Sequence, residues 1–324
     1  MTAPPVLDVA DLRVSIRGDE GIAKILDHIS FRLERGRILG IVGESGCGKS
    51  TLIKSVLGIL SSGARIERGE IRFEGENLLA MGDKRLNREI RGSRIGFIPQ
   101  DPYLALNPVF TVGAQLLEIM RWHAPKSVRN HREHLIALLR RVQLPDPEAA
   151  LDRYPHQFSG GQRQRLVIAG ALACAPTLIV ADEPTTALDV TTQGQILVLL
   201  RELVEEFGLS MLFVTHDLGV VAELCDDLCV IYAGQSVETG PTVQVLREPA
   251  HPYTRALLAC HPDRSEHFTG IPGLVPSPLK APPGCRFAPR CTSARPACPE
   301  RPPHYVAAGQ GHAVDCILHE GSGA

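Results

Sequence analysis

Gly43-Glu-Ser-Gly-Cys-Gly-Lys49-Ser50 fits the spacing G-x-x-x-x-G-K-[ST], and each residue type in it has a chemical reason to be there. Glycines let successive backbone N–H groups turn toward an anion, and a helix opening near Lys49 adds the positive end of its dipole. Lys49 offers a compact charge to the β/γ-phosphates and Ser50 a hydroxyl to Mg²⁺. The candidate phosphate cradle runs through Gly43, Glu44, Ser45, Gly46, Cys47, Gly48, Lys49, Ser50 and Thr51. A second set of apt residues is Leu178-Ile-Val-Ala-Asp182-Glu183, an apolar run ending in carboxylates. Asp182 suits the shell of a Mg²⁺ ion, and Glu183 is placed to polarise an attacking water, a role worth typically about 10²–10⁴-fold. Acids at a strand end that merely face solvent are the blander reading, and the phosphate loop weakens it. No Asn-Lys-x-Asp guanine-reading motif occurs, so adenine is the expected base. Cys47 lies at a helix start, where a thiol pKa is lowered; a reactive thiol, whose alkylation blocks ATP binding, is expected there.

These residues need rigid elements to hold them. Arg37-Ile-Leu-Gly-Ile-Val42 reads as a buried strand feeding the Gly-rich loop, and Thr177–Ala181 and Ser210–Thr215 read as two more. Between them, Ile196, Leu199, Leu200, Leu203 and Phe207 recur at helical spacing. Strands alternating with amphipathic helices predict an α/β fold. Leu7 to Leu33 and Gly69 to Phe73 look like antiparallel strands, and about 104–155 carries a charged helical pattern, a helical insertion. After Pro249 prolines cluster at 272, 276, 278, 282 and 283. Each removes a donor and fixes φ, so regular helices are not expected there.

Composition bounds the setting. Of 324 residues, 44% are hydrophobic and 22% charged, with a formal net charge of −2, ordinary for a globular protein and without the basic excess of a nucleic-acid binder. No apolar run is long enough to span a bilayer, and the first ten residues lack the pattern of a secretory signal. A soluble chain that meets a membrane only through partners is expected. The nine cysteines are an odd number, which argues against a disulfide framework.

Further motifs narrow the reading. Phe158-Ser159-Gly160-Gly161-Gln162, followed by Arg163-Gln-Arg165, looks like the signature of the ABC ATPases, usually Leu-Ser-Gly-Gly-Gln. Gln100, after Gly96-Phe-Ile-Pro99, resembles their glutamine loop; Ala187-Leu188-Asp189 resembles their D-loop; His216 resembles their switch histidine. Singly these are weak, since a lone histidine is often structural and Asp189 alone would be an ordinary helix cap. Their order along the chain carries the resemblance, which covers about 6–248. It implies an α/β, P-loop ABC ATPase core with an antiparallel β subdomain and a helical subdomain (about 104–155) within a nucleotide-binding domain 1–248. Residues 249–324 would form a Pro-rich linker and a small Cys-rich C-terminal module. It implies that Ser50 and Gln100 contact Mg²⁺, that Glu183, His216 and Gln100 are catalytic, and that Ser159 to Gln162 and Asp189 complete the ATP site of a partner subunit. The family's adenine-stacking aromatic is replaced here by Ile16.

Within that family, Gln100-Asp-Pro, Leu106-Asn-Pro108, His251-Pro-Tyr-Thr-Arg-Ala-Leu257 and the tail after Ile271-Pro-Gly273 resemble the ATPases of oligopeptide and dipeptide importers. Related members import nickel or glutathione. The resemblance implies a peripheral subunit on the cytoplasmic membrane face, pairing with a second, different ATPase subunit. It implies further partners: two permease subunits and an extracytoplasmic substrate-binding protein, with no nucleic acid. A soluble, non-transport ABC ATPase and an ATP-binding regulatory subunit are the alternatives. The tail reads C-x5-C-x6-C-x17-C through Cys285, Cys291, Cys298 and Cys316. Four thiolates can hold a [4Fe–4S] cluster or a Zn²⁺ ion; the missing C-x2-C knuckle weakens zinc, and the resemblance favours the cluster. In the competing reading there is no metal, and Arg286 and Arg290 only provide surface.

Overall fold

The structure, a computed structural model, describes residues 4–125, 128–260, 270–302 and 304–320. In chain order its main elements are β1 (Leu7–Gly18), β2 (Gly21–Leu33), β3 (Ile38–Val42), α1 (Lys49–Leu57), β4 (Ala64–Phe73), β5 (Glu76–Asn77), β6 (Ile95–Ile98), α2 (Val112–His123), α3 (His131–Arg141), α4 (Gly160–Leu172), β7 (Leu178–Asp182), α5 (Val190–Phe207), β8 (Ser210–Thr215), α6 (Leu218–Leu224), β9 (Asp227–Tyr232), β10 (Gln235–Pro241), α7 (Thr242–Arg247), α8 (Pro252–Ala259), β11 (Val306–Gly309) and β12 (His312–Val314). They fall into two compact units, one built mainly from Glu34–Arg37 and Ala80–Phe213, the other from Leu7–Leu33, Ile38–Leu79 and the chain from Val214 onward.

The second unit holds two sheets. One is antiparallel, in the order β2-β1-β4-β5, as the alternating pattern predicts; Leu7, Val9, Leu12 and Val14 turn inward from β1. In the other, β3 pairs with β9 in parallel, and β9, β10, β12 and β11 follow as antiparallel neighbours. Every residue of β3 is buried, which is why it reads as an unbroken apolar run. Strand β12 lies on β10 with Glu238 opposite Val314, so residues near the C-terminus share a sheet with the strand that carries the Gly-rich loop.

The expectation of no regular helix after Pro249 is overturned by α8. Pro252 occupies its first turn, where the missing N–H would have had no partner and the fixed φ suits the helix. The buried His251 caps that turn, its Nδ1 accepting from the Tyr253 N–H at 3.0 Å. Residues 270–287 do lack helix and strand, as the proline cluster predicts.

In the first unit the strand order is β8-β7-β6, with β6 and β7 parallel. Helices α2 and α3 fall in the stretch whose charge pattern predicted them. Thr111 caps α2 by accepting from the Ala114 N–H (3.3 Å), and Asn130 caps α3 by accepting from the Glu133 N–H (3.2 Å). Among the described residues, no helix is long and apolar enough to cross a membrane.

A buried carboxylate ties the tail to the body of the second unit. Glu238 is fully buried and accepts from the backbone N–H groups of Ala250 (2.7 Å) and His251 (2.9 Å), with His312 Nε2 at 2.7 Å. Burial works to raise its pKa, but the bonds from His312, Thr254, Ala250 and His251 outweigh it and hold the carboxyl below the usual glutamate range. A carboxyl depressed in this way adds stability above its unfolded pKa and loses it as pH falls through the folded value. Glu238→Gln is therefore expected to lower neutral-pH stability by about 1–3 kcal/mol. Its deficit against the native chain should narrow below roughly pH 4.3. Urea midpoints measured across the acid range test this; a deficit that stays constant with pH refutes it.

Candidate active site

The phosphate cradle lies between β3 and α1, and its geometry explains its glycines. Gly46 and Gly48 have φ of 78° and 104°, values that side chains resist. A Cβ on Gly43 would come within 2.1 Å of the Ile231 carbonyl oxygen, so only glycine fits beside β9. Lys49 is buried, and its ammonium donates to the carbonyls of Gly43 (2.7 Å) and Glu44 (3.2 Å). The loop thus fixes its own lysine, while Ser50 stands exposed on the first turn of α1. Oxygen donors of this kind suit a hard cation such as Mg²⁺. His216, also in this unit, is exposed immediately after β8. Its neighbour Asp217 fixes the turn, accepting from Gly219 N–H (2.8 Å) and Val220 N–H (3.3 Å) to cap α6.

In the first unit, β7 ends at Asp182 and delivers Glu183. That residue has φ of 44°, a left-handed conformation that costs a residue with a Cβ about 1–2 kcal/mol and is concentrated at functional sites. Its Oε2 accepts from Gln100 Nε2 (3.4 Å) and from Thr186 Oγ1 (3.0 Å). Two residues 83 positions apart, singled out separately in the sequence, thus meet. Because the Gln100 amide N–H points at the carboxylate, its carbonyl oxygen is left to act as a donor to a cation.

The signature stretch is a capping box. Ser159 Oγ accepts from Gln162 N–H (3.3 Å), and Gln162 Oε1 accepts in return from Ser159 N–H (3.1 Å), opening α4. Phe158, in place of the usual leucine, is buried, with the Arg153 guanidinium 4.4 Å from its ring centroid. A Cβ on Gly161 would meet Thr192 Cγ2 at 2.8 Å, so the starts of α4 and α5 lie side by side. Asp189 caps α5, accepting from Thr192 N–H (3.0 Å) and Thr192 Oγ1 (2.8 Å). Those bonds, the backbone one first, lower its pKa.

One expectation needs correction. Cys47 is 2% exposed, and burial raises its thiol pKa; the lowering effects of Lys49 and its backbone do not overcome this. The helix-start argument neglected that the thiol points inward. The tail arginines are not the surface side chains of the competing, metal-free reading. The Arg286 side chain is 1% exposed and pairs with Asp27 at 3.0 Å. Arg290 reaches the phosphate loop, its Nη1 donating to Glu44 Oε2 (2.8 Å) and its Nη2 to Glu44 Oε1 (3.2 Å). No local sequence signal marks that contact, because its partners are 246 positions apart.

None of the nine cysteines, all of them among the described residues, is joined in a disulfide. Cys285, Cys291, Cys298 and Cys316 line one small cavity of about 30 Å³, beside His251 and Asp315. Burial pushes the Cys285 thiol up to about 12 and raises Cys291 and Cys316 as well. Among the described residues, no three His, Cys, Asp or Glu side chains are arranged to share a single metal ion.

Residues 26–186 match the family described as ABC transporter, and residues 237–298 match the oligopeptide/dipeptide transporter C-terminal region. The chain is 46% identical to a probable peptide ABC transporter ATP-binding protein of Sinorhizobium fredii, over 96% of this chain and 94% of that one. It is 43% identical to a dipeptide transport ATP-binding protein of Bacillus subtilis, over 97% and 95%. Among solved structures it is similar to the ATP-binding cassette MJ0796, a dimer in a post-hydrolysis state bound to ADP and Pi. The TM-score is 0.62 and the identity 28%, over 73% of this chain and 98% of that one. The burial of Cys47 generates a prediction. Iodoacetamide is expected to leave Cys47 unlabelled in the native chain and to label it after unfolding, as read by peptide mass mapping; rapid labelling of the native thiol would contradict the inward placement.

Proposed function

Because the chain belongs to the ABC transporter ATP-binding family, which residues 26–186 match and to which a relative 46% identical over 96% of the chain belongs, we propose that it is the ATP-hydrolysing subunit energising an importer of di- and oligopeptides. The match of residues 237–298 to the oligopeptide/dipeptide transporter C-terminal region carries the cargo class. ATP hydrolysis rests on the residues described above. Lys49 and the amides of the loop bind the phosphates; Ser50, Gln100 and Asp182 supply oxygen donors to Mg²⁺. Glu183, held by Gln100 and Thr186, orients and deprotonates the attacking water. His216 contacts the γ-phosphate. Ser159, Gly160, Gly161 and Gln162, with Asp189, serve the nucleotide of a second ATPase subunit, a different chain in this reading. The likeness to a dimeric cassette supports pairing.

The remaining partners are two permease subunits and an extracytoplasmic substrate-binding protein, which hold this subunit on the cytoplasmic face of the membrane. Apolar side chains that stand out just after Gln100 support a permease contact there: Leu104 is 85% exposed and Val109 72%. Cys285, Cys291, Cys298 and Cys316 would hold a [4Fe–4S] cluster, which in this setting supplies a structural cross-link to a Pro-rich segment short of regular structure. Ligation requires their thiols to give up protons.

Uptake of labelled di- and oligopeptides is expected in cells carrying the native gene, and to be lost with Lys49→Ala or Glu183→Gln. Glu183→Gln should bind ATP but turn it over about 10²–10⁴-fold more slowly. Identical uptake in all three strains would refute the peptide assignment and direct the same assay to nickel and glutathione. Protein purified without oxygen should contain iron and acid-labile sulfide, both lost in Cys298→Ser; zinc alone, or neither element, refutes the cluster.

A further inference from the structure

The tail reaches the phosphate loop through one side chain whose bonding capacity is fully used. Arg290 has five N–H donors. Nε donates to the Pro272 carbonyl (2.9 Å). Nη1 donates to Glu44 Oε2 (2.8 Å) and the Tyr232 hydroxyl (3.1 Å). Nη2 donates to Glu44 Oε1 (3.2 Å) and the Ile271 carbonyl (2.8 Å). The Arg290 side chain is 4% exposed, against 26% for Glu44. The same end of the loop is tied a second time, since the Glu44 N–H donates to the Tyr253 hydroxyl at 3.1 Å. Tyr232, Tyr253 and Phe287 pack around this point, with ring centroids 4.6–5.4 Å apart.

Glu44 is the second residue of a loop that takes a polyanion. A carboxylate there opposes the phosphates by charge and, if free to swing, leaves the first turn of the loop unfixed. A forked, two-bond guanidinium pair corrects both, because it neutralises the carboxylate and fixes its plane; an ammonium gives the charge without the fork. We propose that Arg290 is a positioning residue for the phosphate loop, through which the C-terminal segment sets the affinity of the chain for ATP. The segment is then part of the nucleotide site's support as well as a mark of the transporter branch.

The full-length chain is the material for the test, with equilibrium binding of Mg-ATP and steady-state turnover as readouts. Arg290→Ala should weaken ATP binding by about 10- to 100-fold, the span of a charge-assisted pair, while kcat at saturating ATP changes little. Arg290→Lys should fall between the two. Adding Glu44→Gln to Arg290→Ala should restore most of the lost affinity, since the uncompensated carboxylate is gone. Native affinity in Arg290→Ala overturns the proposal. So does a loss that Glu44→Gln leaves in place, which would reduce Arg290 to a contact that merely folds the tail.

Discussion

The site depends on how closely β3 and β9 approach where the chain leaves β3. The Ile231 carbonyl occupies the space a Cβ on Gly43 would need, so the chain can turn out of the sheet only through a residue without one. From that point the remaining loop geometry follows. Positive φ at Gly46 and Gly48 curls the loop, the curl brings its carbonyls onto the Lys49 ammonium, and α1 begins in register with it. A nucleotide-binding loop is here a consequence of strand packing as much as of its own sequence.

Two carboxylates of the chain are held in different ways. Glu44 is matched by a buried guanidinium from far along the chain, which silences it. Glu183 sits in a strained backbone conformation and accepts from the Gln100 amide and the Thr186 hydroxyl, which orients its carboxylate. In the proposed roles, the first carboxylate stands beside a polyanion and has a charged partner that neutralises it, and the second works on the attacking water.

Much of this was legible in the sequence, where the signal was local. The G-x-x-x-x-G-K-S spacing, the apolar run into Asp182-Glu183 and the Ser159–Gln162 pair each encode a structure formed by near neighbours. What was not legible depended on distance. Helix α8 was not expected after Pro249 because the place of Pro252 at its first turn is set by His251 and Glu238. Cys47 read as reactive because dipole arguments do not say which way a side chain faces. The contacts of Arg286 and Arg290 were not legible because Asp27 and Glu44 are 259 and 246 positions away.

The pairing of β12 on β10 has an implication for how the chain persists in a crowded cell. Without that pairing, β10 would present a row of open N–H and C=O groups at the border of its sheet, the kind of template that invites other chains to add strands. With it, the border moves out to β11, a four-residue strand too short to template much. The C-terminal residues therefore shield the cassette from edge-to-edge association, and a chain trimmed back to its ATPase core would carry an adhesive margin that the intact one does not.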